Sequence, residues 1–131
     1  MASEHVDRFR DAMRAWNDQD WDALGAFYTP DAVLHHPDDW PEPGPTIGRE
    51  AIIEQWKTTW QAFGQAEVSI ERAEAEGGSV VAYMTIKIVG GGSGADAATD
   101  LTAVCRFEGT GCVEHRVVWG HQSASQFPSR A

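Results

Sequence analysis

Cysteine is nearly absent from this chain, and long apolar runs are absent altogether. The two cysteines among 131 residues, Cys105 and Cys112, do not form the CxxC pair of a redox or zinc site, so reduced thiols in a cytoplasmic protein are expected. No stretch is apolar for the ~20 residues that a membrane helix needs. The N-terminal segment MASEHVDRFRD also lacks the apolar centre of a signal peptide. Positive charge is scarce, with 10 Lys and Arg against 20 Asp and Glu and a net charge of −10. Such a surface repels phosphate, and no basic helix or patch offsets it, which argues against nucleic acid and anionic membranes as partners. Neither a GxGxxG, a P-loop nor a GxSxG pattern follows a strand, so nucleotide cofactors and Ser-triad hydrolysis have no support. No cofactor is expected.

What the chain does have is tryptophan, six of them, in a length that suits one domain with a real core. Val6, Phe9, Met13 and Trp16 recur at helical spacing, with Ser3 as the expected N-cap. Residues 17–19 break that pattern. Asp20 then caps a short second helix burying Trp21, Leu24, Phe27 and Tyr28, which Pro30 cannot continue. Residues 31–36 alternate as a short strand, with Val33 and His35 on one face and Ala32, Leu34 and His36 on the other. A loop rich in proline and glycine follows, ordered but irregular. A third helix, REAIIEQWKTTWQAF, carries Ile52, Trp56, Trp60 and Phe63 on one stripe and stops at Gly64.

Beyond Gly64 the apolar period changes from 3.6 to 2. Strands are expected near residues 68–76, 79–89, 101–107 and 113–122, followed by a frayed tail at 123–131. On the second of these, Met84, Ile86 and Ile88 face inward. The last hairpin admits two registers. A two-residue turn pairs Phe107 with Cys112 and turns Glu114 and Arg116 toward the core. A three-residue loop with left-handed Gly111 and a bulge instead pairs Cys105 with His115, Ala103 with Val117 and Leu101 with Trp119. The second register joins apolar to apolar and is preferred. In neither are the cysteines directly opposite, so a disulfide is not expected.

In its order of elements, and in the stretches WNDQDWDALGAFYTPDAVLHHP, GREAI and CRFEGTGCVEHRVVWGH, the chain resembles the nuclear transport factor 2-like superfamily. That group includes SnoaL-like polyketide cyclases, ketosteroid isomerases, limonene epoxide hydrolases and scytalone dehydratases. The resemblance spans nearly all of residues 1–131 as a single SnoaL-like domain. It implies an α+β fold, a curved mixed or antiparallel sheet forming a cone with about three N-terminal helices in its concave face. It also implies a homodimer through the convex sheet face, and a hydrophobic pocket. It is weak for any one activity, because the fold hosts enzymes and binding modules alike.

Carried over by position, His36 stands where the isomerases have a catalytic Asp, and imidazole, with an ordinary pKa near ~6.5, suits a general base at neutral pH. The isomerases' oxyanion donors fall at Ala12 and Ala103, which cannot serve. The Asp that cyclases and epoxide hydrolases use near the end of the last strand corresponds to Gly120 or His121. Asn17 stands where scytalone dehydratases have an acid, and Trp56 where an isomerase pocket has a tyrosine.

The candidate catalytic residues are therefore His36, with His115 and His121 as partners from the last strand. His35 points to the opposite face, and His5 lies in an exposed N-terminus with no expected role. Asp38 and Asp39, at the pocket mouth, are read as solvated loop carboxylates. A metal is not expected, since nothing in the HHPDD spacing makes three ligands converge. Trp16, Trp40, Trp56, Trp60, Met84, Cys105 and Trp119 are candidates for an aromatic and apolar lining that suits a small hydrophobic molecule. Two functions stay open: proton transfer on such a substrate by an isomerase, cyclase or dehydratase route, or a non-catalytic module that holds an apolar ligand or a partner subunit.

Overall fold

The structure, a computed structural model, describes residues 2–37, 44–88 and 97–120. Three helices precede most of the sheet: α1 (Ala2–Asp18), α2 (Trp21–Phe27) and α3 (Arg49–Phe63). The strands are β1 (Tyr28–His35), β2 (Thr46–Ile47), β3 (Ala66–Glu76), β4 (Ser79–Ile88), β5 (Ala97–Glu108) and β6 (Gly111–Trp119). They form one six-stranded sheet in the order β2-β1-β6-β5-β4-β3, open at both edges, with β1 and β6 parallel and the other pairs antiparallel. This is the cone-like α+β architecture, with the helices on the concave face.

Local chemistry sets the boundaries. The Asp20 carboxylate accepts from Ala23 N–H at 3.2 Å and starts α2. Gly64 stops α3 with φ +80° while its N–H reaches back to Trp60 and Gln61 carbonyls. α1 starts at Ala2, so Ser3 lies inside the helix instead of capping it. Tyr28, expected on α2, is the first residue of β1. Thr29 precedes a proline and is pushed toward extended geometry, so the helix has to end before it. Pro30 then sits where the β1–β6 ladder is interrupted, between Tyr28 and Val33, and needs no ladder donor there. Within the expected irregular loop, Thr46–Ile47 adds a two-residue strand to β1.

The last hairpin combines both anticipated registers. Gly109, with φ +62°, and Thr110 make a two-residue turn that pairs Glu108 with Gly111 and Phe107 with Cys112. One extra residue, Val113, then shifts the ladder, so that Arg106 meets Glu114 and Cys105 meets His115. The bulge lies after Cys112 rather than at Gly111, and it delivers the apolar pairing Ala103–Val117 and Leu101–Trp119.

The core fills the space between the helices and the inner sheet face. Phe9 of α1, Leu24 of α2, Leu34 of β1, Ile52 of α3 and Val80 of β4 are fully buried within it. His5, for which no role was expected, fastens α1 to the hairpin. Its ring stacks on Phe107 at 4.3 Å, and its Nε2 lies 2.9 Å from the Gly109 carbonyl. Among the described residues, no helix is long and apolar enough to cross a membrane.

Candidate functional site

Between the sheet and the helices lies a cavity of about 450 Å³, within the range of small-molecule pockets. Met84, Ile86, Leu101, Val117 and Trp119 form its sheet wall, and Met13 and Trp16 enter from α1. α3 contributes Gln55, Trp56, Thr58, Thr59 and Ala62, while His36 and Pro37 follow the end of β1. His115 of β6 completes the lining together with Val68, Ile88 and Thr99. No Asp, Glu, Lys or Arg occurs among the described residues that line it.

Of the residues singled out from sequence, His36, His115, Trp16, Trp56, Met84 and Trp119 come together around this cavity. Cys105 and Trp60 do not line it. Cys105 is fully buried behind the wall, and burial and its Cys112 neighbour push its thiol pKa well above the usual range, which makes it inert. Trp60 is core, with its indole N–H donated to the Trp16 carbonyl at 2.9 Å. Both cysteines are free and buried. Trp40, His121, Asp38 and Asp39 lie outside the described residues. His35 points to the other face, as its strand position dictates, and pairs there with Glu114 at 2.8 Å.

The polar centre of the cavity is a relay that sequence reasoning did not find. Trp56 Nε1 donates to the Tyr28 hydroxyl at 3.0 Å, and that hydroxyl lies 2.8 Å from His115 Nδ1. Tyr28 is 1% exposed and His115 2%. An indole N–H only donates, so it occupies a lone pair of the phenol oxygen. The buried O–H proton then requires an acceptor, and Nδ1 is the one within reach. This bonding assigns the proton of His115 to Nε2. Burial holds the Tyr28 phenol well above its ordinary pKa, with the nearby Cys112 and Cys105 adding to the rise, so the phenol remains a donor. Burial also lowers the His115 pKa to about 3, helped by the charges of His36 and His35. The imidazole is therefore neutral at physiological pH; His115 lines the cavity, and its Nε2 is buried with no protein partner among the described residues.

Trp56 ties the two cavity histidines together. Its ring lies 6.5 Å from that of His36 and 6.1 Å from that of His115. His36, half-buried at the rim, bonds through Nε2 to the Thr46 hydroxyl at 3.1 Å, so β2 helps to orient it. Two further lining residues have a buried polar atom with no protein partner among the described residues: Trp16 at Nε1 and Thr59 at Oγ1. Tyr28 was legible in principle, because Pro30 forces the chain to become extended by Thr29. Thr59 flanks the Trp56/Trp60 stripe, which was its only signal.

A sheet curved around helices, enclosing a cavity with no charged side chain among its described lining residues, defines the cone-shaped α+β class. The family model for the SnoaL-like domain matches residues 9–115, and the chain belongs to that family. Among solved structures it is similar to Bal32a from a soil-derived mobile gene cassette, with TM-score 0.81, 19% identity and 90% of each chain covered. An NTF2-like protein of unknown function from Burkholderia pseudomallei superposes with TM-score 0.80 at 18% identity, over 89% of this chain and 91% of that one. TerC, co-crystallised with polyporic acid, gives 0.80 at 15% identity, over 89% and 92%. At such identities the likeness establishes the fold alone. No curated protein matches the chain significantly.

Proposed function

We propose that this chain is a small-molecule enzyme that moves a proton on a hydrophobic carbonyl compound, by an isomerase, cyclase or dehydratase route. The observation that carries the proposal is that His36 and the neutral, Tyr28-bonded His115 line one cavity, with no charged side chain among its described lining residues. Removing a proton from the carbon beside a carbonyl builds negative charge on the carbonyl oxygen. A fixed donor in a water-poor, low-dielectric site stabilises that charge without reorganising. His115 is the candidate for such a donor, in place of the side chains that Ala12 and Ala103 do not offer. His36 takes the proton as general base and returns it, so the cycle consumes none. His121 stands as a further candidate from the last strand.

The test is exchange of the α-protons of trans-2-decalone in D2O, followed by NMR. The protein should accelerate exchange over buffer, and His36→Ala should fall to the buffer rate with its circular dichroism unchanged. Full exchange by His36→Ala would sink the assignment of the base. If the ketone binds both proteins equally and neither exchanges it, the chain is a binding module.

A further inference from the structure

We infer that the ligand of this cavity is elongated: one end lies buried beside His115 and Trp56, and an apolar tail runs along the sheet wall toward Thr99 and Ile88. The reading of the site given above is thereby extended to the shape of its substrate, and the carbonyl at the buried end rests on that reading.

The strand ladder orders the wall. Cys105 pairs with His115, Ala103 with Val117 and Leu101 with Trp119, as successive rungs of the inner face. Thr99 stands one rung further, opposite Ile86, which pairs in turn with Val68. The described lining therefore starts at His115 and reaches Thr99, Ile86 and Val68 three rungs on. Six residues of β5 separate Cys105 from Thr99, ~20 Å along a strand. The first helix gives a straight measure beside this curved one. Phe9 packs edge-on to His115 at 6.3 Å, and Asn17 bonds to the Val68 backbone. The eight-residue step between them rises ~12 Å. The cavity is thus ~12–20 Å long, whereas a sphere of its 450 Å³ would be only about 9–10 Å across. It is drawn out along the sheet.

Burial grades along the same direction. On β6 the exposure climbs from 2% at His115 to 7% at Val117 and 36% at Trp119. On β4, Met84 and Ile86 are buried and Ile88 is half-buried, while Thr99 of β5 and Ala62 of α3 are exposed. β1 pairs Leu34 with His115 and His35 with Arg116, so His36 follows beside the Val117 rung. Both histidines therefore belong to the first half of the cavity. The second half is walled by Val68, Ile86, Ile88, Leu101 and Trp119. Such a wall rewards each methylene laid against it. A compact ketone fills one half and leaves the other to water; a ketone with an apolar tail fills both.

The experiment is calorimetric titration with cyclohexanone and its 4-methyl, 4-propyl, 4-pentyl and 4-cyclohexyl derivatives. The matching cyclohexanols are run in parallel, with 2-adamantanone as a compact ketone. Affinity should rise about threefold per added methylene up to pentyl. The 4-cyclohexyl ketone should bind about tenfold tighter than 2-adamantanone. Thr99→Trp, at an exposed position where a large side chain carries little risk to folding, should cut the pentyl-to-parent affinity ratio severalfold. A flat series, 2-adamantanone as the tightest ligand, or a ratio unmoved by Thr99→Trp overturns the elongated ligand while leaving His36 and His115 as read. If the cyclohexanols climb with length and no ketone binds, the elongated ligand stands and the carbonyl reading falls. If neither series binds, the elongated ligand is overturned.

Discussion

The hydroxyl of Tyr28 lies 2.8 Å from Nδ1 of His115, in a part of the core where neither side chain meets solvent. The contact joins β1 to β6 across their parallel ladder. It engages Nδ1 as the acceptor and so assigns the imidazole proton to Nε2, the nitrogen that the proposed mechanism uses as donor.

Tyr28→Phe removes the phenol oxygen and its proton and strands buried His115 Nδ1 and half-buried Trp56 Nε1. The expected loss is about 2–3 kcal/mol in urea unfolding, from one to two unpaired groups at the usual desolvation penalty. The more telling readout is the tautomer. Long-range proton–nitrogen correlation spectra should place the His115 proton on Nε2 in the wild type and on both nitrogens in Tyr28→Phe. A wild-type proton on Nδ1 would remove the donor from the proposed mechanism.

Stability should fall with acid through the His115 window. In the unfolded chain this imidazole takes up a proton near its ordinary ~6.5, whereas folded it stays neutral down to about 3. Between those values the unfolded state binds more protons, so the contribution is complete above the higher value and is lost as pH falls toward the lower. About 2 kcal/mol should disappear between roughly pH 7 and pH 5. Urea midpoints for wild type and His115→Gln at both pH values check this. The variant, with nothing to titrate at that position, should show a smaller loss by that amount.

The elements most readable from sequence were those that local chemistry fixes. α3 spans Arg49–Phe63 with its glycine stop, and the inward pattern of Met84 and Ile86 follows from strand alternation. Tyr28 was hidden because a buried aromatic at a helix–strand junction satisfies either periodicity, and only the register of β6 reveals its partner. The hairpin bulge was hidden for a related reason. Turn chemistry at Gly109 and apolar pairing beyond Val113 favour different registers, and the fold satisfies both by inserting one residue between them. Trp60 and Cys105 sit on the correct faces but in the packed layer, a depth that periodicity does not encode.

Gly111 opens β6 where the chain passes Thr29. A Cβ at this position would stand 2.7 Å from Thr29 Cγ2. Threonine is branched at Cβ and cannot swing that methyl aside freely. Gly111→Ala should therefore cost about 1–3 kcal/mol by overpacking. Adding Thr29→Ser, which deletes the methyl, should restore most of it, and a double-mutant cycle in urea measures the coupling.

Asn17 occupies the position at which the resemblance to scytalone dehydratases implied an acid, yet its amide has a structural task. Its Nδ2 donates to the Val68 carbonyl at 2.9 Å, and its Oδ1 accepts from Val68 N–H at 2.8 Å. The side chain thereby pairs with the backbone of β3, the edge strand of the sheet among the described residues, and fastens α1 to the sheet. At neutral pH the amide provides both the donor and the acceptor that this pairing needs, which an ionised carboxylate cannot. Asn17→Asp, nearly isosteric, replaces the donor by a carboxylate oxygen against a carbonyl oxygen. It should destabilise by about 2 kcal/mol or more at neutral pH. The loss should shrink in acid, where the protonated carboxyl regains a donor. Asn17→Asp should create no new activity, because both amide atoms are committed to Val68. A variant as stable as wild type, or one that gains exchange activity toward 2-decalone, would return position 17 to the list of site residues.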